Sequence, residues 1–148
     1  MDIKFIPYAG STAALTDLMA GRVSYAFETI ATVLPLVQSG RLKALAVSSQ
    51  KRSSHLPDVP TVAEAAGLPD FNVVAWIGLV TRAGTPPDIT QRLATEAQKA
   101  LQSPELRERY NTLGMDPVSS TPAELQRVMN DAYDRFGDLI KTANVKIE

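Results

Sequence analysis

Two glycine turns, Ala9-Gly10 and Gly21, cut the start of the chain into segments too short for anything but single strands and a helix of two to three turns. Ile3 to Tyr8 is apolar and aromatic enough for a buried strand. After the first turn, Ser11 or Thr12 stands where an N-cap belongs, and Ala14, Leu15, Leu18 and Met19 share one helical face until Gly21 ends the helix. Val23 to Phe27 then reads as a second strand, so the expected order is strand, helix, strand.

The start of that helix is unusual in what it lacks. Three residues past either candidate cap stand Ala14 and Leu15, so no acidic side chain can fold back onto the first-turn amides. Elsewhere Thr61 is followed by Glu64, Thr85 by Asp88 and Thr121 by Glu124, each a capping box or a close relative. The first helix start is therefore expected to be the open one. Its backbone N–H groups and the positive end of the helix dipole suit an anion such as a carboxylate, and they suit solvating water as well. Glu28, where the second strand ends, reads either as a helix cap or solvated charge, or as an acceptor for a ligand amine, hydroxyl or bridging water.

A short helix is expected from near Thr32, with Pro35 in its first turn and Ser39-Gly40 as its stop. Leu42 to Val47 reads as a third strand, parallel to the first two because each connection is helix-length. Ser48 to Pro60 has no period and marks the expected module boundary. Thr61 to Ala66 forms one or two helical turns. Phe71 to Thr81 is the most apolar strand candidate, with Trp76 at its centre either packed in the core or forming a ligand wall. Thr85 is expected to cap a helix reaching Leu101, and Ser103-Pro104 opens another through Tyr110. Met115 to Ser119 is a possible edge strand. Thr121 to Lys141 is the longest helix, whose apolar stripe (Leu125, Val128, Met129, Ala132, Tyr133, Phe136, Leu139, Ile140) must cover a sheet face, with residues 70–81 the nearest candidate.

Charge and cysteine content narrow the function. A formal net charge of −1, with no basic block beyond a pair, gives no electrostatic footprint for nucleic acid. No apolar run approaches the roughly 18 residues a membrane span needs, and Met1-Asp2-Ile3-Lys4 does not open a signal peptide. The chain has no cysteine, so thiolate metal sites and cysteine nucleophiles are excluded, and no metal or cofactor site is expected. The one histidine, His55, lies beside Ser54, and Ser11 or Ser54 with His55 would make a hydrolase pair. Neighbours in one loop cannot adopt triad geometry, and no G-x-S-x-G elbow exists, so no catalytic residue is assigned.

Four stretches together resemble one family. They are Pro7-Tyr8-Ala9-Gly10-Ser11-Thr12-Ala13-Ala14-Leu15-Thr16-Asp17-Leu18, Gly40-Arg41-Leu42-Lys43-Ala44-Leu45-Ala46-Val47, Leu56-Pro57-Asp58-Val59-Pro60-Thr61-Val62-Ala63-Glu64-Ala65, and Trp76-Ile77-Gly78-Leu79 with Ala83-Gly84-Thr85-Pro86. The chain is similar to the extracytoplasmic solute-binding receptors of tripartite tricarboxylate transporters, the Bug receptors, and the resemblance covers their C-terminal half. It implies an α/β fold of the type II periplasmic-binding-protein kind, in part: residues 1–50 belonging to the second lobe, 51–70 crossing, and 71–148 forming the C-terminal part of the first lobe.

The same resemblance implies a non-enzymatic receptor that binds a small carboxylate solute in the periplasm and works with membrane components of the transporter. Tyr8, Ala9, Gly10, Ser11 and Thr12 match the family's ligand-facing turn, and Glu28 matches a position where the family usually has aspartate. Arg82 departs from a common proline in a surface loop. A chain holding part of each lobe would leave sheet edges unpaired, so homo-oligomerisation by strand or segment exchange is expected. The other reading is a truncated module that folds by dimerisation and binds no solute.

Overall fold

The computed structural model describes residues 3–142. It contains six helices among them: α1 Ser11–Met19, α2 Ile30–Gln38, α3 Val62–Ala66, α4 Pro87–Gln102, α5 Pro104–Thr112 and α6 Pro122–Thr142. By contacts the chain forms two compact units, Met1–Trp76 with Asn111–Met115, and Ile77–Tyr110 with Asp116–Glu148.

Helix α1 ends as its sequence dictates. Gly21 has φ of 72°, a left-handed conformation in which a side chain would strain the backbone. Its N–H donates to the Leu18 carbonyl and the Arg22 N–H donates to the Asp17 carbonyl, the paired bonds of a Schellman stop. The same pair recurs nineteen residues on, where Gly40 N–H reaches the Val37 carbonyl and Arg41 N–H the Leu36 carbonyl to close α2.

Helix α2 begins two residues earlier than expected. Thr29 is its N-cap, hydroxyl-bonded to Thr32 at 2.8 Å, which leaves Pro35 in the helix interior rather than in the first turn. Without an N–H, Pro35 cannot complete the bond to the carbonyl four residues back. The expected cap at Thr85 is also displaced. Its hydroxyl donates to the Arg82 carbonyl at 2.7 Å and closes the preceding turn, so Pro86 caps α4 without a side-chain bond. The boxes at Thr61/Glu64 and Thr121/Glu124 form as expected, each with hydrogen bonds in both directions.

The strand expectations are corrected. Among the described residues none of Ile3–Tyr8, Val23–Phe27, Leu42–Val47, Phe71–Thr81 and Met115–Ser119 joins a ladder. A strand exists only through a neighbour about 4.8 Å away that takes its N–H and C=O groups, and these segments do not find one. The isolated bridge among the described residues, Val47 with Thr61, is parallel; Val47 N–H donates to the Pro60 carbonyl and Val62 N–H to the Val47 carbonyl, both at 2.9 Å. Val73 N–H adds a bond to the Ser48 carbonyl at 2.8 Å. The third apolar segment thus meets the 60–62 segment instead of the first two.

Burial follows from this. Leu15, Leu34, Val47 and Thr61 are the buried side chains among the described residues, and all four lie in the first unit. The stripe of α6 has no buried residue, and Ile77, Leu79 and Val80 are exposed, Ile77 at 93%. Trp76 is 45% exposed, so it is not a core residue here. The sheet face expected to receive α6 is not formed within the described residues. No described helix is long and apolar enough to cross a membrane.

Candidate functional site

Gly10, not Ser11 or Thr12, is the N-cap of α1. Its φ of 171° is ordinary extended backbone, and no side chain caps the helix. No acidic residue stands in the first turn. A Cβ built on Gly10 would meet nothing within 4 Å, so the space beside the turn is open. The expectation that protein side chains leave these amides uncapped is met.

Three side-chain hydrogen bonds frame the turn. The Ser11 hydroxyl donates to Glu28 Oε2 at 2.9 Å. The Tyr8 hydroxyl donates to Asp17 Oδ2 at 2.8 Å, and Arg22 Nη1 donates to the other oxygen of that carboxylate at 2.7 Å. The Asp17 carboxyl is held below the ordinary carboxylate range, first by the Arg22 bond and then by Tyr8, while partial desolvation acts the other way. The Tyr8 phenol is pushed up, chiefly by its bond to Asp17. Ala9, Gly10 and Thr12 are exposed, and the Thr12 carbonyl accepts from the Thr16 hydroxyl inside the helix.

The first helix start is not alone in being open, which corrects the sequence reading. Helices α2 and α4 also lack a side-chain cap hydrogen bond. The case of α2 bears on the site because Glu28 directly precedes its N-cap, Thr29. Ser11 therefore links the start of α1, through one hydrogen bond, to the residue just before the start of α2. The Glu28 carboxylate thus lies at the start of α1 and one residue before the cap of α2, a favourable placement for a negative charge. Sequence reading missed Thr29, Asp17 and Arg22. For Thr29 the available signal was the Thr-x-x-Thr pair; for Asp17 it was an acid in the last turn of a helix, where the dipole disfavours it.

No grouping of three or more His, Cys, Asp or Glu residues able to hold a metal occurs among the described residues. His55 is placed elsewhere, on the wall of a cavity of about 460 Å³ that also includes Leu34, Pro35, Gln38 and Asn111. Its backbone N–H donates to the Ser53 hydroxyl at 3.2 Å. Ser11 has a carboxylate as its hydroxyl partner, the wrong group to begin a Ser-His relay.

Comparison with known proteins gives a consistent result. The model of the tripartite tricarboxylate transporter family receptor matches residues 1–145. A UPF0065 protein from the clcB-clcD intergenic region of Pseudomonas knackmussii is 36% identical over 140 residues, covering 95% of this chain and 83% of that protein. Protein BugT of Bordetella pertussis is 36% identical over 146 residues, covering 99% of this chain and 44% of its own length. A UPF0065 protein from the tcbD-tcbE intergenic region of a Pseudomonas species is likewise matched over 42% of its length. Among solved structures, one described as a periplasmic transporter superposes with a TM-score of 0.85 at 33% identity, over 99% of this chain and 49% of its own. The periplasmic binding protein BugD gives 0.77 at 29%, over 100% and 50%. The chain thus spans less than half the length of two of these relatives and about half of both structures.

Proposed function

We propose, from the premise that this chain belongs to the tripartite tricarboxylate transporter receptor family, that it forms one wall of a periplasmic solute-binding site and catalyses no reaction. In this reading a solute carboxylate sits on the free amides of Gly10, Ser11 and Thr12, with Tyr8 and Ala9 shaping the approach. Glu28 accepts a hydrogen bond from the solute's other end. Lobe closure around the solute then signals to the membrane components of the transporter. The observation that carries the reading is the open, uncapped start of α1 beside free space at Gly10.

The fold that goes with it is a partial type II periplasmic-binding-protein α/β fold, with 1–50 in the second lobe, 51–70 crossing and 71–148 returning to the first. The match to solved periplasmic proteins over about half of their length supports the fold being partial, and the division is part of the proposal.

The test is a titration with di- and tricarboxylates, benzoates and acidic amino acids, read by calorimetry and by backbone amide shifts. Citrate, as one probe, is expected to shift Gly10, Ser11 and Thr12 selectively. Glu28→Gln removes a like charge beside the seat and is expected to tighten citrate about fivefold, the size of a partly screened charge pair at a protein surface, while weakening an acidic amino acid whose ammonium group loses its acceptor. Absence of any shift at these three amides across the panel removes the reading.

A second reading is favoured by one observation, the exposure of long apolar segments such as Phe5 at 84% and Ile77 at 93%. In it the chain is a module that folds by dimerisation and binds no solute. In either reading, extended segments lacking ladders are expected to pair with those of a second copy by strand or segment exchange. Size-exclusion chromatography with light scattering should give twice the 16.0 kDa chain mass or more. A compact monomer at micromolar concentration would refute the exchange.

A further inference from the structure

The carboxylate of Asp17 does nothing for the helix that carries it. It lies in the last turn of α1, where the negative end of the dipole opposes an anion, and no basic residue of that turn offsets it. The Schellman stop does not need it either, because the stop uses the Asp17 backbone carbonyl. Helix α2 closes with the same two bonds around Gly40 and Arg41 and has Leu36 in the equivalent place. A side chain that the helix disfavours and the stop ignores is kept there by its other contacts.

Those contacts lead back to the turn. Arg22 takes Oδ1 at 2.7 Å and balances the charge, and Tyr8 takes Oδ2 at 2.8 Å. Tyr8 is two residues before Gly10, and Asp17 is near the far end of the helix that Gly10 begins. The bond therefore spans most of α1 and fixes the chain on the entry side of the turn. The Ser11 bond to Glu28 fixes it on the exit side. Gly10, between these two anchors, has neither a side chain nor a side-chain partner of its own.

We infer that Asp17 is a positioning residue for solute binding: through the Tyr8 hydroxyl it sets the direction in which the Gly10 to Thr12 amides point. This rests on the proposed carboxylate seat at those amides. Arg22 serves as the partner that keeps Asp17 charged and its second oxygen turned toward Tyr8. The depressed carboxyl of Asp17, with Arg22 as the first cause, agrees with a group that stays ionised at neutral pH.

The experiment uses the ¹⁵N-labelled 148-residue chain with Asp17→Asn, Tyr8→Phe and the double variant. Two readouts are taken, citrate affinity at the Gly10–Thr12 amides and the heteronuclear NOE of Ala9, Gly10 and Ser11. Each single variant is expected to weaken citrate about threefold to fivefold, as loss of one ordinary hydrogen bond would. Each should also lower the NOE at the three turn residues while leaving that of Val33 to Val37 in α2 as in the parent, with the melting temperature down by no more than a few degrees, as loss of one ordinary hydrogen bond allows. The double variant should match the weaker single one, because both break the same bond. Parent-like NOE values in either single variant, additive losses in the double variant, or loosening of all of α1 would overturn the inference. Should the parent show no citrate shift at all, the carboxylate seat fails, and with it the claim that Asp17 serves binding; a loosened turn in the variants would then mark Asp17 as a clasp of the turn only.

Discussion

Replacing Gly114 with alanine is expected to destabilise the first unit by about 2–3 kcal/mol, from about 1–2 kcal/mol of left-handed strain and at least about 1 kcal/mol of overpacking. Gly114 is buried with φ of 70°, and a Cβ there would stand 3.2 Å from Ile30 Cγ2, 3.2 Å from Leu34 Cδ2 and 3.5 Å from the Ala31 backbone. Leu34 is one of the few buried side chains among the described residues, so it has little room to give way. Gly67→Ala is the control. Gly67 has nearly the same φ, 65°, but open space around it, so only the backbone strain of about 1–2 kcal/mol should appear. Urea unfolding of both variants measures the difference. Equal losses would mean that the Asn111–Met115 segment does not pack on α2 as described.

The second large effect is expected at Thr61, at 2% the least exposed side chain described. Its hydroxyl accepts the Glu64 N–H at 3.1 Å, its own N–H donates to Glu64 Oε2 at 2.9 Å, and it is the partner of Val47 in the parallel bridge. Thr61→Val keeps the shape and removes the acceptor, leaving the Glu64 N–H without its cap. The expected cost is about 2 kcal/mol, read as a shift in the urea midpoint; a loss under about 0.5 kcal/mol would show that the box contributes nothing.

The same box makes a pH prediction. Glu64 is held below the ordinary carboxylate range, first by the Thr61 N–H and further by Arg52, against a desolvation effect of opposite sign. A depressed folded value means stability that is complete above the unfolded value and is lost as pH falls through the folded one. Stability should therefore decline below about pH 4.5, with Glu124 and Asp17 pulling in the same direction. Glu64→Gln should be less stable at pH 7 and lose less between pH 5 and pH 3. A steeper acid loss in Glu64→Gln would reverse the sign of the argument. The Arg52 ion pair itself, at 2.9 Å but about half exposed on both sides, contributes little beyond this.

Much of the site frame was legible because its physics is local. The uncapped start of α1 follows from Gly10, which has no side chain to cap with, and from Ala13 three residues on where an acid would have to be, one position before the sequence reading placed the cap; the helix stop follows from Gly21, and neither needs a distant partner. The boxes at Thr61 and Thr121 were legible for the same reason. Thr85 shows where this reasoning fails. A carboxylate three residues on makes a box only if the threonine is the N-cap, and here the cap falls one residue later on Pro86, which puts Asp88 at the second helical position while the Thr85 hydroxyl closes the turn to the Arg82 carbonyl. The start of α2 was misplaced because Pro35 was taken to mark the first turn, while Thr29 set the cap earlier.

What the amino-acid order determined by itself is the set of short-range elements: the helices, their stops, the free amides at Gly10 and the family to which the chain belongs. Tertiary structure alone decided that Glu28 meets Ser11 across seventeen residues and that Tyr8 meets Asp17 around a helix. It also decided that the apolar segments from Ile3 to Ser119 stay outside any ladder among the described residues. The reason is physical. A helix satisfies its backbone within four residues of itself and is written in its own sequence, whereas a strand is defined by a neighbour, and no pattern within one segment can say whether that neighbour is there.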